Sequence, residues 1–144
     1  MANELILNAI QKENIPRVRT LIVEDNDVDR LLLRTNLENM GMQHIQEATN
    51  GSEGLFKASN AKVLKSQFHL VMTDWKMPRT DGLTFLMQLR DEKSKFRIYV
   101  IMLTTVVDEV KISAALASGI DDCIVKPFKA ELLKKRVLTC LEKN

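Results

Sequence analysis

The sequence predicts an α/β fold: a doubly wound, five-stranded parallel sheet with helices on both faces. Three observations lead there. Past Pro16, short apolar runs of β type alternate with segments of helical period, the strand runs are apolar almost without interruption, and no repeat or linker breaks the alternation. Each helix must return the chain to the start of the next strand by a right-handed crossover, which makes the sheet parallel and covers both of its faces. Strands buried on both sides read as continuous apolar runs.

Val18 to Val23 is the first strand, and it stops abruptly at Glu24-Asp25-Asn26-Asp27, a cluster rich in helix N-cap residues. Val28, Leu31, Leu32, Leu33, Leu37 and Met40 then recur at near-helical spacing and are expected to form the inward face of a helix that Gly41 ends. His44 to Ala48 is a brief second strand and Ser52 to about Leu64 a second helix. Phe68 to Thr73 is the third strand, followed by a loop to Gly82 and a helix carrying Leu83, Leu86, Met87 and Leu89. Arg97 to Leu103 is the most apolar strand. Val110, Ala114 and Ala117 mark a fourth helix closed by Gly119, Cys123 to Val125 is the fifth strand, and Leu133, Val137, Cys140 and Leu141 give the last helix its inward face.

Composition bounds the function. The 144 residues are 45% apolar and 28% charged, with a net charge of +2, which describes one soluble domain able to remove roughly 70% of its unfolded surface from water. The longest apolar run, Ile98 to Leu103, is too short to cross a bilayer, and the expected location is the cytoplasm. A charge so close to balance announces neither a nucleic-acid nor a membrane partner. Cys123 and Cys140 lack zinc or C-x-x-C spacing and read as two buried, reduced thiols.

In such folds ligands sit beyond the C-terminal ends of the strands. There the sequence puts Glu24 and Asp25 after strand one, Asp74 after strand three, Thr104 and Thr105 after strand four, and Lys126-Pro127 after strand five. Singly, each acid could be a helix cap and Lys126 a solvated surface group. Together they are three crowded carboxylates, hydroxyls and an ammonium on one edge. The remedy for crowded carboxylates is a hard divalent cation with oxygen ligands, Mg2+ before any softer metal. A cation, a Lys and a hydroxyl also neutralise a phosphoryl group, which an Asp carboxylate can accept as nucleophile.

The run from Val71 to Gly82, with Asp74-Trp75-Lys76-Met77-Pro78 at its centre, resembles the phosphoacceptor loop of response-regulator receiver domains, most closely the stand-alone chemotaxis regulators. Leu21-Ile22-Val23-Glu24-Asp25, Val100 to Thr104 and Ile124-Val125-Lys126-Pro127-Phe128 support the resemblance in the expected order. It implies the flavodoxin-like strand order 2-1-3-4-5. It also implies Asp74 as phosphoacceptor, Thr104 and Lys126 as the groups that meet the phosphoryl oxygens, and Mg2+ on Asp25, Asp74 and the backbone carbonyl of Lys76, with Glu24 acting mainly through a coordinated water. The implied partners are a sensor histidine kinase or phosphotransfer protein and a downstream target, a flagellar motor component among the candidates, with no nucleic acid and no membrane. By the same resemblance the protein is a phosphoacceptor and no enzyme in the ordinary sense.

Departures from the family pattern carry their own expectations. Cys123 stands where the chemotaxis regulators have an aromatic switch residue, and a buried Cys cannot act as that lever. Val106, two residues after Thr104, cannot hydrogen-bond a hydrolytic water. Residues 1–16 are expected to be an N-terminal extension, tail or short helix, with the receiver over 17–144 and no segment left for an output domain. The other function classes are a degenerate receiver that binds partners without phosphorylation, and an aspartyl-phosphate phosphatase. The second wants another Asp where Lys76 stands. The last sixteen residues hold five bases and two acids, so an acidic partner is the one to expect if that helix signals.

Overall fold

In the computed structural model, which describes residues 14–76, 82–90, 97–105 and 108–142, an apolar strand alternation becomes a single sheet. A 3-10 turn at Ile15–Arg17 leads into β1 (Arg19–Val23), followed by α1 (Asp27–Asn39), β2 (His44–Ala48), α2 (Gly51–Val63) and β3 (Leu70–Asp74). The chain continues through α3 (Gly82–Leu89), β4 (Tyr99–Thr104), α4 (Glu109–Ala117), β5 (Asp122–Val125) and α5 (Ala130–Leu141). All strands pair in parallel in the order β2-β1-β3-β4-β5, as the resemblance implies.

Alternate residues of each strand feed two cores. Ile22, Met72, Ile101 and Leu103 pack with Leu33 and Leu37 of α1 and with Leu133, Val137 and Cys140 of α5. Their neighbours Leu21, Val23, Val71, Val100 and Met102 pack with Ala61 of α2, Phe85 and Leu86 of α3 and Ala115 of α4. Burial on both faces is thus the reason these strands read as unbroken apolar runs. The helix stops at Gly41 and Gly119 also hold, at φ +103° and +107°, where a β-carbon would clash with the following carbonyl.

Three helices present a different stripe from the one expected. In α1 only Leu33 and Leu37 are buried and Met40 packs beside them, while Val28, Leu31 and Leu32 are exposed. In α4 the outward residues are Val110, Ala114 and Ala117, and Ala115 is the one buried against the sheet. Phe85, rather than Met87, joins Leu86 in the core, and Met87 is 72% exposed. Of the two thiols, Cys140 is buried and Cys123 only half-buried against the α2–α3–α4 side. Val106 and residues 1–13 lie outside the described residues; Ile15, just after them, is buried.

Gly54 places α2 against α3. A β-carbon there would stand 2.9 Å from Phe85 Cε2 and 3.0 Å from Val23 Cγ2, both deep in the core. Gly54→Ala is therefore expected to destabilise by about 1–3 kcal/mol in spite of alanine's better helix propensity, read as a lower urea midpoint at unchanged m-value.

At the outer edge of the sheet, the amide of Glu24 donates to Ala48 O, so the carbonyl of Ala48 faces β1 and those of Ile45 and Glu47 face outward. Arg34 of α1 donates to Ile45 O, and Lys57 of α2 donates to Glu47 O. Both flanking helices thus lay a cation over the open side of β2.

Candidate functional site

The C-terminal strand ends gather the groups the sequence singled out. Glu24 follows β1 and is held from two sides, its amide on Ala48 O at 3.0 Å and its carbonyl accepting from Arg30 Nη1 at 3.0 Å. Asn26 caps α1 by accepting from the Asp29 amide at 2.9 Å, which turns the chain so that Asp25 stays exposed beside Glu24. Asp27 faces away and pairs with Arg30 at 2.6 Å, a structural ion pair. Asp74 is the last residue of β3, half-buried, with Lys76 exposed two residues on.

Glu24, Asp25 and Asp74 each offer a carboxylate oxygen within 4.8 Å of the others. The Glu24 side chain is buried, and that desolvation, against the pull of Lys126, pushes its pKa up to about 7. Its Oε2 has no hydrogen-bond partner. Three oxygen donors with no Cys or His among them, one buried and unsatisfied, fit a hard divalent cation of the Mg2+ class.

Lys126 follows β5, where its amide donates to Thr104 O at 2.7 Å and its peptide bond to Pro127 is cis. Its Nζ donates to Glu24 Oε1, to Asp74 Oδ2 at 3.2 Å and to Asp29 Oδ2 at 3.3 Å. Burial works against the ammonium, yet the Glu24 and Asp74 carboxylates outweigh it and hold Lys126 above the ordinary lysine range. Thr104 ends β4 and is buried, and Thr105 beside it is exposed. An open cleft runs past Glu24, Asp29, Asp74, Thr105 and Lys126 to the apolar pair Leu32 and Phe128.

With the geometry fixed, comparison with known proteins decides the family. The response regulator receiver domain model matches residues 20–138. The chain belongs to the response regulator receiver family. Among its relatives, the chemotaxis protein CheY1 of Helicobacter pylori is 28% identical over 127 residues, 88% of this chain and 99% of that one. The chemotaxis protein CheY homolog of Campylobacter jejuni is 32% identical over 123 residues, 83% and 89% of the two chains. CheY-3 of Vibrio cholerae is 30% identical over 131 residues, 91% and 95%. Among solved structures, a chain of the CheX-CheY-BeF3-Mg2+ complex of Borrelia burgdorferi superimposes with a TM-score of 0.77 at 26% identity, covering 86% of this chain and 89% of that one. Vibrio cholerae CheY4 gives 0.74 at 28% identity, covering 85% and 98%.

The receiver thus brings together Glu24, Asp25, Asp74 and Lys126, and it sets Thr104 and Lys76 on the same edge. Two contributors were missed from the sequence. Arg30 ties the Glu24 carbonyl, and Asp29 gives Lys126 a third carboxylate. Among the described residues, no helix is long and apolar enough to cross a membrane.

Proposed function

We propose that this receiver is a cytoplasmic response regulator of a two-component phosphorelay, in which Asp74 accepts a phosphoryl group from a histidine kinase or phosphotransfer protein and a protein-binding surface changes in response. The receiver spans 17–144 in this reading. Its strongest support is that three carboxylates from two strand ends lie within 4.8 Å of one another with a lysine ammonium bonded to two of them. The chemotaxis names of the relatives and the CheX-CheY complex favour a protein partner, and a flagellar motor component as downstream target is carried by the chemotaxis resemblance alone.

Asp25 and Asp74, with the backbone carbonyl of Lys76, would hold Mg2+, and Glu24 would complete the acidic set. The ion, when bound, supplies positive charge that offsets the crowded carboxylates and the incoming phosphoryl oxygens. An Asp74 carboxylate oxygen attacks phosphorus. The new P–O bond forms as the bond to the leaving group breaks, and the imidazole of a phosphohistidine or the carboxylate of an acyl phosphate departs with the electron pair. Lys126, already on Asp74, pairs with a phosphoryl oxygen, and the Thr104 hydroxyl meets another. Nearly two added negative charges at Asp74 then bias the loop after β4, and α4, β5 and α5 follow.

The test is intact mass after incubation with acetyl phosphate and Mg2+. The expected result is one hydroxylamine-sensitive phosphoryl adduct, lost when the metal is chelated. Absence of both an adduct and beryllofluoride binding would overturn this reading in favour of a receiver that works without phosphorylation.

A further inference from the structure

The ammonium of Lys126 is shared among three carboxylates, and they are not equivalent. Glu24 is buried and Asp74 is the proposed nucleophile, so neither is dispensable at the site. Apart from lying in the acidic first turn of α1, Asp29 has Lys126 as the side-chain partner of its carboxylate. Its backbone amide serves the α1 cap through Asn26, while Oδ2 reaches 3.3 Å across to Lys126 from another element, 97 residues away in sequence. Asp27, its companion in the first turn, is taken by Arg30 and 87% exposed, so only Asp29 of the two turns into the cleft. Its side chain is 43% exposed, lining the open mouth of the cleft that holds Asp74.

An ammonium has three protons, and here each has a carboxylate partner. For Lys126 to meet a phosphoryl oxygen it must release one of them. Asp29 is the one it can release at least cost, because the water at the mouth re-solvates an exposed carboxylate while a buried one would be stranded. We propose that Asp29 is a positioning residue that holds Lys126 in the resting state and competes with the phosphodonor for it, acting as a brake on phosphoryl uptake. The brake has two parts with one sign: Asp29 occupies the lysine, and its negative charge faces an incoming dianion. This rests on the function proposed above.

The experiment uses the full chain at saturating Mg2+. The second-order rate constant for phosphorylation by acetyl phosphate is followed through Trp75, which neighbours Asp74, in wild type, Asp29→Asn and Asp29→Glu. Asparagine is isosteric and leaves the cap untouched. It is expected to raise the rate constant about two- to fivefold, the range for losing one exposed ion pair, and glutamate to restore the wild-type value. In donor-free protein, the lysine-detected NMR signal of Lys126 Nζ is expected to shift in Asp29→Asn and to stay near wild type in Asp29→Glu. An unchanged or lowered rate constant in Asp29→Asn, or equal effects of the two variants, overturns the brake. If wild-type protein takes up no phosphoryl group, the function beneath it fails instead, and an unmoved Nζ signal then refutes the hold on Lys126 as well.

Discussion

Asp74→Asn is expected to abolish phosphoryl uptake and, without metal, to raise the melting temperature. The first effect follows from chemistry: an amide oxygen is a poor nucleophile toward phosphorus, and among the described residues no other carboxylate stands at the end of β3 beside Lys126. The second follows from electrostatics. Glu24, Asp25 and Asp74 stand within 4.8 Å, and Lys126 is the cation bonded among them. Neutralising one acid removes like-charge repulsion, while the asparagine carbonyl can still accept from Lys126. Function and stability therefore oppose each other at this residue, as is common where a site is held strained for its task. Mass spectrometry reads the first effect, and thermal melts with and without Mg2+ read the second. Mg2+ should raise the melting temperature of wild type by more than that of the variant. A variant that melts lower than wild type in chelator would contradict the electrostatic account.

The second large effect is on pH. Burial raises Glu24 from the ordinary 4.5 to about 7, so between these values the folded chain binds a proton that the unfolded chain does not. The folded state is then favoured most below about pH 4.5 by this group, and the contribution is lost as pH rises to 7 and beyond. It amounts to at most about 3 kcal/mol, since each tenfold difference in proton affinity between the folded and unfolded chain is worth about 1.4 kcal/mol. Metal affinity must run the other way, because a cation needs the ionised carboxylate, and it should rise from pH 6 to 8 with release of a proton. Glu24→Gln is expected to flatten both dependences, with stability measured by urea titration in chelator and Mg2+ affinity by Trp75 fluorescence. A Glu24→Gln protein whose metal-free stability still falls as steeply between pH 5 and 8 as wild type would assign that slope to another group.

Period and punctuation in the sequence were enough for the sheet, because the central strands β1, β3 and β4 are buried on both faces and two helices, α1 and α4, end at glycines built for ending them, Gly41 and Gly119. They could not say which helical stripe turns inward. Val110, Ala114 and Ala117 satisfy the period as well as Ala115 does, and only the sheet beneath α4 selects between them. The site was legible wherever chemistry sits at a strand end, hence Glu24, Asp25, Asp74, Thr104 and Lys126. Asp29 was not, since an acid in the first turn of a helix is the commonest way to complement the helix dipole, and its contact to Lys126 exists only once β5 has been brought across the sheet.

The cations of Arg34 and Lys57 over the outer carbonyls of β2 bear on how such a molecule can be read by others. An open strand invites any extended peptide to extend the ladder, and a small signalling protein that diffuses among many chains would be sequestered by that route. With two of its outward carbonyls covered, recruitment at β2 by backbone pairing is disfavoured. On the proposed function, a partner that tells the resting form from the charged one has to look elsewhere, to side chains on helices and loops or to β5 at the other edge of the sheet.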